Sequence, residues 1–404
     1  MDVASGLRAL LLESIHDDAA FCLRDAGFEV ERLDRALGEA ELLERIAGVH
    51  VLGLRSNTQL TEKALVAGAD LLAVGAFCIG TNQIDLDSAS QCGVAVFNAP
   101  FSNTRSVVEL AISELIALTR RLTDKNADMH AGVWDKSAVG SHEVRGRRLG
   151  IVGYGNIGSQ LSVLAESLGM RVLFYDTADR LALGNARRCG TLDELLAECD
   201  VVSLHVDGRS SNSGIFGEEQ FARMRPGSVF LNLSRGFVVD HEALRKHVLS
   251  GHLAGAAVDV FPVEPKTKGE EFVSVLRGLP NVILTPHVGG STEEAQQDIG
   301  HFVAGKLRDY VQDGSTSLSV NLPAVALPRE PGQTRLLHLH VNTPGVLATV
   351  NGLLAEHGVN IEGQLLSTRG SFGFVVTDIS TGCDVDVVTA LTALPETVRL
   401  RVLR

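Results

Sequence analysis

The stretch GIVGYGNIG, residues 150–158, decides how this chain folds. An apolar run, RRLGIV, leads into it, and an amphipathic run, NIGSQLSVLAESLG, leads out. Gly153, Gly155 and Gly158 stand between them in G-x-G-x-x-G spacing. The next apolar run, MRVLFYD, ends at Asp176, about 20 residues beyond the glycines. Strand, glycine turn, helix and a second strand closing on a carboxylate form the pattern of a dinucleotide-binding βαβ unit. Gly153 permits the tight turn, Gly155 lets backbone approach a pyrophosphate, and Gly158 lets helix pack on strand. Phosphate oxygens would meet free N–H groups at the helix N-terminus, where the helix dipole favours an anion. The Asp176 carboxylate accepts from ribose hydroxyls and repels a 2′-phosphate, so NAD is expected over NADP. The bland alternative is a glycine turn with no ligand, and only the complete βαβ context argues against it.

The same alternation runs outward on both sides. Upstream, RALLLES, HVLGLRS, DLLAVGAF and VAVFNAP read as buried strands. DAAFCLRDAG, EAELLERIAG and TEKALVAG read as helices that stop at glycine. A single long helical pattern then spans about Asn103 to Thr123. Downstream, DVVSLHV, SVFLNLSRG, LAGAAVDVF and NVILTPH continue the strand series. A βα alternation implies a parallel sheet with helices on both faces. Next, STEEAQQDIGHFVAGKLRDYVQDG reads as a long helix with Ser291 and Glu294 as a capping box. NLPAVALPREPGQ, with three prolines, is the best linker candidate. The last 70 or so residues change pattern to βαββαβ, the order of a ferredoxin-like module.

Three polar residues stand where later strands of the dinucleotide sheet end: Arg235 after SVFLNLS, Asp259 after LAGAAV, and His287 after NVILTP. The carboxyl ends of such strands border the ligand crevice. Glu264 follows closely, between Pro262 and Pro265. Each has an ordinary reading: a surface cation, a turn cap, a solvated turn residue, a loop histidine. Four at one sheet edge suit one chemistry. Oxidising a hydroxyl sends a hydride to nicotinamide and a proton to a base, and imidazole suits that proton. A carboxylate such as Glu264 would orient the ring, and an arginine would clamp a substrate carboxylate with two hydrogen bonds. Gly289 and Gly290 would let backbone come close to cofactor or substrate.

The set GYGNIG, Asp176, NLSRG, AVDVFPVEP and TPHVGGST is similar to the D-isomer-specific 2-hydroxyacid dehydrogenases. Within that family the chain resembles the bacterial D-3-phosphoglycerate dehydrogenase branch. GLRSNTQLT, CIGTNQIDL, FNAPFSNTRSVVEL and AESLGMRVLFYD carry that likeness. The resemblance implies NAD-dependent oxidation of 3-phospho-D-glycerate, with another 2-hydroxy acid (glyoxylate, hydroxypyruvate or 2-hydroxyglutarate) as the alternative. It implies a substrate domain built from residues 1–102 and 290–331, an inserted Rossmann NAD domain over 103–289, and a regulatory domain over 333–404. Carried over residue by residue, it makes Arg235, Glu264 and His287 the catalytic set. Gly153, Gly155, Asn156, Ile157, Gly158, Asp176, Leu233, Ser234, Asp259, Val288, Gly289 and Gly290 become cofactor contacts beside Arg235 and His287. Arg55, Ser56 and Asn103 become substrate contacts. The chain departs from the branch at Asn57, where its relatives carry a second arginine; Lys136 in GVWDK is a candidate replacement cation.

HLHVNTPGVLATV and HGVNIEGQLLST resemble an ACT domain, a regulatory amino-acid-binding module. Pro344 and Gly345 open a helix whose free N–H groups could face a carboxylate. The resemblance assigns His340, Asn342 and Asn360 to an L-serine effector. His338 shares a strand face with His340, but with no third ligand in view a metal is not expected. The alternative is a purely structural dimerisation module.

Composition bounds the rest. A chain of 404 residues with 45% hydrophobic content has room for two or three domains. A net charge of -13 argues against nucleic acid or an anionic membrane as partner. Cys22, Cys78, Cys92, Cys189, Cys199 and Cys383 show no framework spacing, as expected of reduced thiols in a cytoplasmic protein. No signal peptide or membrane-spanning run is expected. Ferredoxin-like edge strands can pair between chains, so a homo-oligomer, a tetramer by the resemblance, is expected.

Overall fold

The computed structural model describes residues 6–265, 269–330, 332–380 and 385–404. The chain divides into two compact units, Met1–Ser102 with Gln296–Arg404, and Asn103–Ala295. Cys383 lies outside the described residues, and the other five cysteines are free thiols.

The first unit begins with β1 (Arg8–Leu12), α1 (Asp17–Asp25), β2 (Glu29–Leu33), α2 (Glu39–Arg45) and β3 (Val51–Leu54). It continues through α3 (Glu62–Ala67), β4 (Ala73–Ala76), α4 (Leu86–Gln91) and β5 (Ala95–Asn98). The strands form a parallel sheet in the order β2-β1-β3-β4-β5. β2, the charged run EVERL, is an edge strand with no buried residue, so its apolar signal in sequence is faint.

The second unit opens with α5 (Thr104–Thr119) and α6 (Leu122–His130). The single helix expected here is broken at Arg121, which sits in the left-handed region at φ 51°. There follow β6 (Arg148–Val152), α7 (Asn156–Ser167), β7 (Arg171–Tyr175), β8 (Arg187–Arg188), α8 (Leu192–Glu198) and β9 (Val201–Leu204). The unit closes with α9 (Glu218–Arg223), β10 (Ser228–Asn232), α10 (His241–Leu249), β11 (Leu253–Val258) and β12 (Val282–Leu284). The seven-stranded parallel sheet runs β12-β11-β10-β9-β6-β7-β8. Its order reverses between β6 and β9, and ligands bind at such a switch point, outside the carboxyl ends of the strands. One face of the sheet is covered by α5 and α7 through Val108, Leu115, Leu161 and Ala165. The other face packs on Leu195, Phe221 and Leu244 of α8, α9 and α10. The first sheet is likewise covered on both faces, with Leu11 of β1 against Leu23 of α1 on one side and Leu10 against Leu42 of α2 and Leu65 of α3 on the other, so both sheets are doubly wound.

The chain returns to the first unit in α11 (Glu293–Asp313). Its cap is the Thr292 hydroxyl, which accepts from the Ala295 N–H at 3.2 Å, in place of the expected capping box at Ser291. The terminal module has β13 (Thr334–Val341), α12 (Val346–Glu356), β14 (Ile361–Arg369), β15 (Phe372–Ile379), α13 (Val385–Thr392) and β16 (Thr397–Leu403). Its antiparallel sheet runs β14-β15-β13-β16, the βαββαβ ferredoxin-like order.

The segment expected to be a linker is fastened down. Val325 donates to the Thr316 hydroxyl at 2.8 Å, and Leu322 and Val325 are buried. Arg335 fills a buried socket, with two bonds to Asp378 (2.6 and 2.7 Å) and others to the Asp313, Leu327 and Pro328 carbonyls. Cutting one side of such a pair costs about 3–5 kcal/mol, because the other charge is left buried. Leu337, Leu339, Phe374 and Val376 of the module join one core with Phe97, Val303 and Leu307. Arg399 reaches the Ala69 carbonyl at 3.1 Å. The module is packed onto the sheet of its unit and does not hang from it.

Candidate active site

The three glycines after β6 behave as their spacing requires. Gly153 has φ +92°, and a Cβ there would lie 2.6 Å from the His205 carbonyl, across the switch point at the end of β9. A Cβ on Gly158 would lie 2.3 Å from the Gly153 carbonyl, so α7 can sit this close only with glycine. Gly155, the residue before α7, has nothing within 4 Å of its Cβ position. It leaves a gap in front of the helix N-terminus, where Asn156 and Ile157 form the first turn. Asp176 at the end of β7 accepts from Tyr154 N–H and Ala178 N–H, both at 2.8 Å. Arg180 Nε stands 3.6 Å from the same carboxylate. A glycine cradle before a helix N-terminus with a carboxylate at the adjacent strand end fits a dinucleotide.

The ends of β10, β11 and β12 are tied in series. Asn232, fully buried, accepts from Ser234 N–H and hydroxyl, and its amide donates to the Arg235 carbonyl at 3.1 Å. Leu233 and Ser234 are thereby buried, and the Arg235 guanidinium emerges beside Gly208. Asp259 N–H donates to the Asn232 carbonyl at 3.0 Å. The Asp259 carboxylate, 2% exposed, accepts from Val288 N–H (2.8 Å), Gly289 N–H (2.9 Å) and the Thr285 hydroxyl (2.7 Å). It therefore braces the loop that carries His287. Gly290 has no room for a side chain, since a Cβ would lie 2.3 Å from Asn103 Nδ2.

His287 itself adopts φ +54°, unusual for a residue with a side chain. Its Nδ1 donates to Glu264 Oε2 at 2.9 Å, and Glu264 Oε1 accepts from Phe261 N–H at 3.0 Å. The bond to Glu264 raises the His287 pKa above its ordinary value, outweighing partial burial and the nearby Arg235. Burial alone would raise Glu264, yet the His287 bond and the Phe261 N–H hold it below the usual carboxylate range. With Nδ1 engaged, Nε2 is left to exchange a proton with a substrate.

In the first unit, Arg55 and Ser56 follow β3. Glu13, at φ +64° just after β1, accepts from Thr58 N–H (2.8 Å) and Asn57 N–H (3.0 Å). The Gln83 amide donates to the Arg55 carbonyl at 2.5 Å. Asn232, Thr285, Glu13 and Gln83 went unremarked in the sequence; each is an ordinary polar residue beside an apolar run, and only the folded strand ends show what it holds.

In the terminal module, His338 is buried and bonds the Thr397 hydroxyl through Nε2 at 2.8 Å, and burial lowers its pKa to about 4. His340 is also buried, its ring against Gly373 and its Nδ1 on the Val341 carbonyl at 2.9 Å. Asn342 is exposed, with its amide on the Gly370 carbonyl at 3.2 Å. Asn360 is exposed too, but the strand register puts it elsewhere. His340 pairs with Gly373, whereas Ile361 pairs with Ile379, level with Thr334. At about 3.3 Å per residue this separates Asn360 from His340 by about 20 Å within one chain.

The family model for the D-isomer specific 2-hydroxyacid dehydrogenase NAD binding domain matches residues 112–289. D-3-phosphoglycerate dehydrogenase of Haemophilus influenzae is 50% identical over 99% of this chain and 98% of its own length. The chain belongs to the D-isomer specific 2-hydroxyacid dehydrogenase family. The Escherichia coli (strain K12) D-3-phosphoglycerate dehydrogenase is 51% identical over 98% of this chain and 97% of its own. Among solved members, D-lactate dehydrogenase from Aquifex aeolicus, complexed with NAD and lactic acid, superposes with TM-score 0.64 at 26% identity, covering 75% of this chain and 95% of that one. The AHAS small subunit-like ACT domain model matches residues 336–399. The chain is an NAD-dependent oxidoreductase of this family, acting on a small molecule and carrying an ACT-type regulatory module. Among the described residues, no helix is long and apolar enough to cross a membrane.

Proposed function

We propose that the chain oxidises 3-phospho-D-glycerate to 3-phosphooxypyruvate with NAD, the entry step of L-serine biosynthesis, in the cytoplasm. The observation that carries this reading is the His287–Glu264 pair at 2.9 Å beside Arg235, in a chain half identical to D-3-phosphoglycerate dehydrogenases along its whole length. NAD, when bound, supplies the hydride acceptor. Gly153, Gly155, Asn156, Ile157, Gly158 and Asp176 hold it, with Leu233, Ser234, Asp259, Val288, Gly289 and Gly290 shaping the rest of its bed. Arg235 clamps the substrate carboxylate and polarises the neighbouring oxygen. His287 Nε2 takes the hydroxyl proton, and Glu264 stabilises the resulting imidazolium. Arg55, Ser56 and Asn103 supply further substrate contacts, and residues 1–102 with 290–331 serve the substrate while 103–289 serve NAD.

Residues 333–404 bind L-serine as an inhibitor. His340 and Asn342 lie at one end of the module's sheet and Asn360 at the other, so a site using all three is assembled from two copies. That requires a homo-oligomer, and we take it to be a tetramer.

A substrate panel with purified protein tests the activity. Turnover of 3-phospho-D-glycerate with NAD is expected to exceed that of unphosphorylated 2-hydroxy acids and that with NADP. Equal or greater efficiency on 2-hydroxyglutarate, or on a reduced or hydrated two- or three-carbon oxo acid, would transfer the assignment to another dehydrogenase. Asn57 in place of a second arginine is the feature that makes this comparison decisive.

A further inference from the structure

Glu13 follows β1 and is 7% exposed. Both of its carboxylate oxygens are spent on one segment, the turn after β3. Oε1 accepts from Thr58 N–H at 2.8 Å and Oε2 from Asn57 N–H at 3.0 Å. The same segment is held from the β4 side. The buried Gln83 amide donates to the Arg55 carbonyl at 2.5 Å and to the Gly80 carbonyl at 3.3 Å. Leu60 N–H donates to the Gln83 carbonyl at 2.8 Å. The backbone is thus fixed at the Arg55 carbonyl and at the N–H groups of Asn57, Thr58 and Leu60, while Ser56 and Asn57 stay exposed and Arg55 half-buried.

The turn that carries Glu13 is itself strained. Glu13 and Ser14 lie at φ +64° and +51°, the only adjacent non-glycine pair in the left-handed region among the described residues. Such conformations persist where the surroundings over-determine them, and they cluster at functional sites. The Ser14 hydroxyl, donating to the Asp34 carbonyl at 3.0 Å, is one such tie. The device also repeats one already described, since the buried Asp259 accepts from two successive N–H groups of the loop carrying His287.

We propose that Glu13 is a positioning residue for substrate binding: its carboxylate, with the Gln83 amide, holds residues 55–58 in the conformation that presents the Arg55 guanidinium and the Ser56 hydroxyl to the substrate. A carboxylate suits the task because two acceptor oxygens meet two successive donors, and bonds to a charged acceptor are the stronger kind. An amide in its place turns one N–H donor against another. With both N–H groups spent on Glu13, they are not donors for an anionic substrate, and Arg55 carries that task. A segment already fixed loses less freedom when the substrate arrives. Loosening it weakens substrate binding and leaves NAD and the proton step to other groups.

This inference rests on Arg55 and Ser56 being substrate contacts, and the test separates the two. KM for 3-phospho-D-glycerate, KM for NAD and kcat are measured for the full chain, Glu13→Gln, Gln83→Leu and Arg55→Ala. Glu13→Gln is expected to raise KM for 3-phospho-D-glycerate on the order of tenfold, with kcat within roughly threefold and KM for NAD within roughly twofold of wild type. Gln83→Leu, which frees only the Arg55 carbonyl, is expected to raise the same KM roughly threefold. A Glu13 that served stability alone lowers Tm and moves neither KM selectively. An unchanged KM for 3-phospho-D-glycerate in Glu13→Gln, or an equal rise in both KM values, overturns the proposal. If Glu13→Gln does not fold, Gln83→Leu decides, and an unchanged substrate KM there overturns it. An unchanged substrate KM in Arg55→Ala instead removes the assignment on which the proposal rests.

Discussion

Two of the sheets that carry assigned polar residues treat those residues in opposite ways. In the second unit, Arg235, Asp259 and His287 come from three parallel strands, β10, β11 and β12, and meet at one edge. Parallel strands all end on the same side, so residues about 25 positions apart in sequence become neighbours. In the terminal module β13 and β14 both lie antiparallel to β15 and so run the same way, but the assigned residues stand at opposite ends of them: His340 and Asn342 at the close of β13, Asn360 just before the start of β14. His340 with Asn342 and Asn360 therefore point to opposite ends of the same sheet. Residues that all follow the carboxyl ends of parallel strands are gathered within one chain, while a set split between the end of one strand and the start of another is held apart.

The sharpest way to break the comparison is at the gathered end. His287→Ala removes the proposed proton acceptor while leaving Asp259, the glycine cradle and Asp176 in place. Turnover is expected to fall by a factor on the order of 10²–10⁴ with NAD still bound. Steady-state rates and an NAD titration check this, and a variant with near-normal turnover shows that the proton leaves by another route.

The next effect is a displaced pH profile. If His287 is the proton acceptor proposed, oxidation needs it unprotonated, and kcat/KM falls as pH drops through its pKa. Glu264 holds that pKa above the ordinary 6.5, chiefly through the 2.9 Å bond. Glu264→Gln removes the carboxylate charge, so the pKa drops and the acid limb moves to lower pH. The variant is expected to be slower than wild type at pH 8, yet to retain at pH 6 a larger share of its own maximum. An acid limb that does not move shows that Glu264 does not tune His287.

Much of this contrast was legible in the sequence, and the illegible part has a physical pattern. The glycine spacing, the strand ends at Arg235, Asp259 and His287, and the terminal βαββαβ order follow from periodicity and turn chemistry, which are local. The edge strand β2 was missed because three of its five residues are charged and none is buried, leaving only Val30 and Leu33 as an apolar signal. The break between α5 and α6 carries no glycine or proline; Arg121 takes a left-handed conformation that nothing in TRRLTDK announces. Glu13 is a buried polar group whose role depends on partners 44 and 45 positions away, and no window of sequence contains both halves; Asn232, by contrast, bonds Ser234 and Arg235 inside NLSR, a local motif whose apolar surroundings hid its role. The separation of Asn342 from Asn360 is of the same kind as the Glu13 case, since it is set by register and not by the order of elements.

The smallest expected effect tests that separation directly. If each L-serine site draws Asn342 from one copy and Asn360 from its neighbour, Asn342→Ala and Asn360→Ala each abolish every site in a pure preparation. Mixing them gives a different result. At an interface between the two variants, one site loses both asparagines and the other keeps both, because its Asn342 comes from the Asn360→Ala chain and its Asn360 from the Asn342→Ala chain. After unfolding and refolding an equal mixture, half of the interfaces are mixed and half of their sites are intact. Roughly a quarter of wild-type serine binding is expected to return, with partial inhibition. Equilibrium binding of L-serine to the two parents and to the mixture measures this. No recovery on mixing, with wild type recovering after the same refolding, places all serine contacts within one chain. Since the register holds Asn360 about 20 Å from His340, that result would remove Asn360 from the site and leave the His340–Asn342 end to bind the effector alone.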